Sequence, residues 1–543
     1  MIGVLPAFVG VVLIVAWLRP LARSGLRALH LLQLEEYQTV RYWRWLAGHP
    51  GAPFDRFLWL STVIVAGATI LLPGPTWLLA PVVGVVVGVW RSVTEKPNEA
   101  KKPLVLTARA RRLLAGWIIC NLVVALVLLS LVLLNGGATK PVTLGFAAAI
   151  ALLGVTVLTW PLMSVANLLL YPVEANFRNY YVRSARTILK KFQPVVVGVA
   201  GSYGKTSTKT ILAQILSTRH PTLATPRSFN TPMGLCRVIR EQLRPEHRFF
   251  IAELGAYQRG EIRELCRLVE PSIGILTTVG PEHLERFGTM ENVRKAEFEL
   301  IEALPSDGLA IFNGDDPTCV AMSEKARCRV IVTGPEGEAN RKIWADDIRL
   351  TTAGLEFTLN TADGCRGTVT TPLLGRHNVA NILVASAAAI ACGLTFDDLL
   401  AAIPRLEPVE HRLQLIPNPN GVVVIDDTYN SNPRGAAAAL ETLAAFQCGR
   451  RYLVTPGMVE LAGLQDEAHR EFGQRAAGVC DAVILVGPKQ TRAIAEGLSQ
   501  AGFARDRVIV ARNLAEATEH LKDLLHVGDA VLFENDLPDN YAE

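Results

Sequence analysis

The stretch Gly198 to Lys209 (GVAGSYGKTSTK) sets the tightest limit on what this chain can fold into. An apolar, β-branched run, Val195–Val197, leads into it, and a helix-compatible segment, Thr210–Leu216, leads out. Strand, glycine turn, helix is the setting a phosphate-binding loop requires. Glycines let backbone N–H groups crowd round phosphate oxygens, and the new helix turns its positive end toward them. Lys205 has the reach for β- and γ-phosphates, and the Thr206 hydroxyl suits Mg²⁺. Gly201, Ser202, Gly204 and Ser207 complete the cradle. The spacing is a variant one, because Val199 stands where the usual pattern has its first glycine, and Gly198 and Gly201 flank it.

The chain has 543 residues, half of them apolar, and the apolar excess lies before about residue 172. A net charge of +4 is no nucleic-acid signature. Nine scattered cysteines without a C-x-x-C pair argue for a reducing compartment and against a disulfide framework or zinc site. Apolar runs long enough for membrane helices cover 2–18, 113–134 and 142–160. The block 57–90 is broken by Pro73-Gly74-Pro75 into a hairpin of 57–72 and 76–90, each half short for a full span. No basic region precedes the first run, so it reads as a retained anchor rather than a signal peptide. Six Lys/Arg lie in 19–56 and seven in 91–112, against one in 135–141. That asymmetry puts both basic loops in the cytoplasm, the N-terminus outside and everything after Trp160 inside, with ATP. Leu29–Leu46 reads as an amphipathic interfacial helix. No ionisable residue sits in the middle of a span, which counts against a transport pathway.

The expected architecture is multi-domain. A helical transmembrane region occupies 1–172, and a stalk helix (Glu174–Lys191) lies within a linker at 173–193, after Tyr171-Pro172 has ended the apolar stretch. A central α/β phosphate-loop ATPase domain with a mostly parallel sheet follows at 194–405. A second α/β, Rossmann-like domain takes 406–543. Strands are expected at Arg248–Leu254, Ile273–Val279, Cys328–Thr333, Val422–Ile425, Arg451–Thr455, Ala482–Val486 and Ala530–Phe533. A β-rich insertion is expected over 342–371 and a helix over Asn378–Cys392.

Several short motifs then follow in order: ELGAYQRGEI from Glu253, GPEHLERFG from Gly280, NGDD from Asn313, GRHNVAN from Gly375, IDDTYNSNP from Ile425 and GMVEL from Gly457. Together they resemble the Mur ligase family, and within it the MurF branch, over about residues 194–533. None of the resemblance touches the membrane part. It implies ATP-dependent amide formation: a substrate carboxylate takes the γ-phosphate, and an amine displaces phosphate from the resulting acyl phosphate. Phosphorylation gives a poor electrophile a good leaving group, and Mg²⁺ with lysine offsets the repulsion of the two anions.

The resemblance also implies roles. Lys205, Glu253, His283 and Glu297 form the catalytic set, and Thr206, Glu253 and His283 the metal ligands. Asn313, Asn378 and Asn381 lie near the adenine, although Asn378 could equally serve as a helix N-cap. Arg412 and Asp427 meet phosphate and ribose at the second domain's entrance. Asn230, His377, Tyr429 and Asn430 lie on the substrate side. Three departures matter. Glu297 stands where many members carry a carbamoylated lysine, with Lys295 as the alternative if the register slips by two. Glu534-Asn535-Asp536 replaces a Lys-Gly-Ser-type stretch, which suits a more positive amine than D-alanyl-D-alanine. A membrane region replaces the domain that holds the UDP-sugar.

The resulting expectation is a membrane-anchored, cytoplasm-facing ligase with ATP and Mg²⁺ as cofactors. It joins an amino acid or dipeptide to a small-molecule or lipid-linked cell-wall precursor, in company with envelope-synthesis proteins and without nucleic acid. The rivals are a polyglutamate-type ligase and, from another class, an ATP-driven transporter or switch.

Overall fold

The computed structural model describes residues 21–53, 62–63, 103–136, 141–335 and 341–536. The expected spans 2–18 and 76–90, and nearly all of 57–72, lie outside them. The chain divides into two compact units, 1–179 and 180–543.

In the first unit, residues 21–34 are helical, followed by helices Thr39–Gly48 and Ala108–Gly136 and most of Pro141–Phe192. Leu29, Leu32, Tyr42, Leu113, Trp117, Trp160 and Met163 form its core. Polar tips find backbone partners there. Trp117 Nε1 donates to Thr159 O at 2.9 Å, and Tyr42 Oη to Trp160 O at 3.0 Å. Arg112 grips Glu174 with two bonds of 2.7 and 2.8 Å. Ala108–Leu128 and Leu153–Phe192 are long and apolar enough to cross a membrane, by length and composition. The sequence reading gave a span at 142–160, ended the apolar stretch at Tyr171-Pro172 and began a separate stalk helix at Glu174. Instead one 52-residue helix runs through both Pro161 and Pro172. A proline removes one bond from a ladder and kinks it, a local loss that so long a helix tolerates.

The second unit holds two sheets. In the first, β1 (Val195–Ala200), β2 (Thr222–Ala224), β3 (Phe249–Glu253), β4 (Ile273–Leu276), β5 (Leu309–Asn313), β6 (Arg329–Pro335), β7 (Ile343–Thr351), β8 (Gly354–Thr361) and β9 (Arg366–Thr371) lie in the order β2-β3-β1-β4-β5-β6-β7-β8-β9. Pairing is parallel from β2 to β7. It is antiparallel through β8 and β9, so the expected β-rich insertion is a meander that widens the same sheet. The parallel strands are apolar almost throughout, as strands covered on both faces must be. Fully burying each Val, Leu or Ile contributes about 1.5–3 kcal/mol.

The chain leaves β1 toward β3 on one side and β4 on the other. The carboxyl end of β1 is therefore the topological switch point, where α/β sheets bind ligands. The glycine loop sits at that end, and helix Lys205–Ser217 follows it. The buried helix His377–Ala391 packs its Val379, Ile382 and Leu383 into the same core as Ile211, Leu212 and Ile215.

In the second sheet, β10 (Gln414–Ile416), β11 (Val423–Asp427), β12 (Arg451–Thr455), β13 (Ala482–Val486), β14 (Val508–Ala511) and β15 (Ala530–Glu534) take the order β10-β11-β15-β12-β13-β14. All but β10 pair in parallel. Asp427, Glu534 and Thr455 close the carboxyl ends of three adjacent strands. The short strands β2, β10 and β14 and the five-residue β5 were not expected as strands.

Candidate active site at the glycine loop

The loop is built to be narrow. Gly204 has φ +83°, and a Cβ there would meet Asn381 Oδ1 at 2.6 Å. Gly201 has φ +130°, with Thr277 Oγ1 at 2.2 Å from the same notional atom. Both positions demand glycine. The loop is pinned from outside. Ser202 N donates to Thr278 O at 2.6 Å, and Ser202 Oγ to Gly280 O at 3.0 Å. No side chain caps the following helix, so its first backbone N–H groups stay available to an anion. Thr206 and Ser207 lie half-buried in that first turn.

Carboxylates surround this positive end. Lys205 Nζ donates to Ser202 O at 2.8 Å, to Gly201 O, and to Glu282 Oε2 at 3.0 Å. Burial pulls the Lys205 pKa down, but Glu282, Glu297 and Glu253 overcome it and hold the pKa above its ordinary value. Glu297 Oε2 accepts the Gly201 N–H at 2.7 Å. Burial lifts the Glu297 pKa to about 7, against the pull of Lys205 and that N–H. Lys295, the alternative by register, is on the solvent face and pairs with Glu291 at 3.2 Å. Glu253 ends β3 and is fully buried, with Lys209 Nζ 2.8 Å from Oε2. Asn230 Nδ2 donates to Glu253 Oε1 at 3.4 Å, bringing the expected substrate-side loop to this carboxylate.

Asn313, at the end of β5, donates to Thr278 Oγ1 at 3.2 Å and so braces the residue that holds the loop. Asn381 Oδ1 accepts the Thr208 hydroxyl at 3.2 Å, and its amide donates to Asn378 Oδ1 at 2.9 Å. Asn378 is not a helix N-cap. Its side chain donates to Leu374 O at 2.7 Å, and Arg376 occupies the cap position. His377 is exposed at the start of that helix.

From the second sheet, Arg412 Nη1 donates to Asn430 O at 3.3 Å, and its guanidinium stacks over Tyr429 at 4.4 Å. Burial lifts Asp427 to about 6, opposed by Arg412 and the Leu413 N–H. Asn430 Nδ2 reaches across to Glu282 Oε1 at 3.4 Å. His283, expected as a metal ligand, meets a loop of the second sheet. Its Nδ1 bonds Glu460, Arg286 Nη2 donates to the other Glu460 oxygen at 3.1 Å, and Tyr257 lies edge-on at 4.6 Å. Among the described residues no contact joins His283 to Glu253. His283 thus makes a contact between the two sheets' loops, and it lies near enough to Glu297 for its charge to act on that carboxyl.

Glu282, Lys209 and Glu460 were absent from the expected site. Glu282 and Glu460 lay in motifs already singled out, and Lys209 one helical turn beyond Lys205. Only the fold shows which neighbours they meet. Among the described residues no three His, Cys, Asp or Glu side chains group to hold a metal. Mg²⁺ asks for less, one or two hard oxygen donors beside phosphate and water. The Thr206 hydroxyl and the Glu253 carboxylate are donors of that kind, with Glu253 paired to Lys209.

A phosphate loop at a switch point, ringed by acids and met by a second α/β sheet, defines an ATP-using enzyme of two cooperating α/β domains. The Mur ligase middle-domain model matches residues 199–389, and the model for the Mur ligase glutamate ligase domain matches 411–534. The UDP-N-acetylmuramoyl-tripeptide–D-alanyl-D-alanine ligase of Escherichia coli K12 is 36% identical over 321 residues, spanning 58% of this chain and 70% of that one. A crystal structure of MurF from Acinetobacter baumannii superposes with TM-score 0.60 at 27% identity, covering 67% of this chain and 78% of the other. The MurF ligase of Thermotoga maritima in complex with ADP gives TM-score 0.59 at 27% identity, with 66% and 80% covered. The chain belongs to the Mur ligase family. Mur ligases form amide bonds with ATP and Mg²⁺.

Proposed function

We propose that this chain is a membrane-anchored ligase of the MurF type, which adds D-alanyl-D-alanine or a related amino acid or dipeptide to the carboxylate of a cell-wall precursor. One observation carries this reading: Glu282 touches both the phosphate-loop Lys205 of the first sheet and Asn430 of the second. Nucleotide and acceptor would therefore meet at one seam. The precursor's carboxylate oxygen attacks the γ-phosphorus and ADP leaves. The ammonium gives up a proton to solvent, the freed amine nitrogen attacks the acyl carbon, the C–O bond breaks, phosphate departs with the electron pair, and the second proton lost by nitrogen passes to phosphate or solvent. Lys205 and the open N–H groups of helix Lys205–Ser217 bind and orient the triphosphate. Thr206 and Glu253 would hold Mg²⁺, which supplies positive charge between the two anions. Asn230 steadies Glu253.

The sequence reading took Glu534 as a negative charge facing the amine substrate. Its carboxyl is instead buried, bonded by the Ser431 hydroxyl and by Thr455 Oγ1 at 2.8 Å. Burial lifts its pKa to about 8 despite those two bonds. A buried, neutral Glu534 would offer little repulsion to a dipeptide's own carboxylate, which weakens that objection to D-alanyl-D-alanine, while the lysine of the Lys-Gly-Ser stretch is still missing and Asp536 is exposed.

Anchoring rests on the two long apolar helices and on the basic stretches at 19–56 and 91–112, which favour the cytoplasmic side. The enzyme would then draw on cytoplasmic ATP and on either a nucleotide-linked or a lipid-linked precursor, near other envelope-synthesis proteins. Phosphate release by the full-length protein in detergent tests the reading. UDP-N-acetylmuramoyl-tripeptide and D-alanyl-D-alanine together should sustain turnover, and either alone should not. ATP hydrolysis independent of both substrates would refute it.

A further inference from the structure

Glu282 has no role in the reading so far beyond marking the seam, yet its contacts point to one. It is an ionic partner with a polar anchor. Oε2 lies 3.0 Å from Lys205 Nζ, Oε1 accepts the Asn430 amide at 3.4 Å, and the His283 ring stands 4.0 Å away. The side chain is 18% exposed, so it borders the solvent side of the seam rather than the core. Lys205 is committed by chemistry to phosphate oxygens. To reach them it has to leave Glu282, while Asn430 keeps its hold on the carboxylate. A carboxylate anchored by an amide and parted from its lysine attracts another cation. The group that must arrive on the second-sheet side of the phosphate loop is the acceptor, and an amino acid or dipeptide arrives as an ammonium.

We infer that Glu282 binds the ammonium group of the acceptor amine, taking it in exchange for Lys205 when Lys205 moves to the triphosphate. The inference rests on the ligase reading above and assigns the amine-binding residue within it. The exchange would also order the reaction, because the amine's seat opens only once ATP has drawn Lys205 away. Glu282 acts here by charge and position.

The test is steady-state phosphate release by full-length protein with ATP, UDP-N-acetylmuramoyl-tripeptide and D-alanyl-D-alanine. Glu282→Gln should raise KM for the dipeptide by about tenfold or more, as loss of a partly buried charge partner does. KM for ATP should stay level or fall, since Lys205 no longer has a competing anion. Glu282→Asp, which keeps the charge, should recover part of the dipeptide KM. Opposite movement of the two constants is something a merely collapsed loop would not produce. A dipeptide KM unchanged within about twofold, or a rise in both constants together, overturns the inference alone. Absence of wild-type turnover overturns the ligase reading and this inference with it.

Discussion

Glu297 and Gly201 are joined by a 2.7 Å bond from the loop N–H to the carboxylate, which ties helix Met290–Glu302 to the phosphate loop. The carboxylate thus sits within the charge field of Lys205 without any covalent modification. Glu297→Gln keeps an acceptor oxygen for the Gly201 N–H and removes the charge. Its kcat should fall by about 10²–10³-fold, the size of a lost electrostatic contact in an active site. Wild-type turnover should be unchanged when CO₂ and bicarbonate are stripped from the buffer. Stimulation by bicarbonate would show that a carbamate forms after all.

Lys209 and Glu253 form an ion pair in which both side chains are about 2% exposed. Removing one member leaves a buried charge without its partner, which costs about 3–5 kcal/mol. Lys209→Met should show that loss in urea unfolding of the full-length protein, followed by fluorescence. Lys209→Met with Glu253→Gln should regain most of it, because no unpaired charge remains. If the double variant is as unstable as the single one, the pair is not the source of the effect.

The parallel core was readable because its strands are continuous apolar runs bounded by turn residues, as at Arg451–Thr455 and Ala482–Val486. The three-residue strands β2 and β10 carry too few residues for any period to register, and only their neighbours' backbone makes them strands. Glycine spacing located the phosphate loop, since Gly201 and Gly204 take conformations that side chains resist. Partners were the illegible part. His283 is read as a ligand from its motif, and nothing local announces that its ring also bonds Glu460, 177 residues on. Glu534 looked like a charge because sequence shows residue type and not burial.

Lys205 makes the only direct contact between the loop's positive end and Glu282 among the described residues. Lys205→Ala should lower turnover by about 10³-fold or more, since phosphoryl transfer depends chiefly on charge stabilisation of the triphosphate. Melting should also fall, because Glu282 and Glu297 lose the cation that faces them, so turnover is compared at a temperature where tryptophan fluorescence shows the variant folded. Turnover within tenfold of wild type would remove the glycine loop from the reaction.

Glu534 supplies a pH dependence whose sign is set by burial. Its carboxyl titrates near the ordinary 4.5 when unfolded and near 8 when folded. Between those values the native state holds a proton that the unfolded state has lost, so stability falls as pH rises through the window. The contribution is fully present below about 4.5 and gone above about 8. Glu534→Gln replaces the neutral carboxyl with a neutral amide that can still accept from Ser431 and Thr455 and never ionises. The variant should therefore melt close to wild type at pH 5 and above it at pH 9, with the gap opening between. Melting curves of the full-length protein across that range decide the matter. Parallel wild-type and variant profiles would mean that Glu534 is ionised throughout and that its surroundings, not its neutrality, keep it buried.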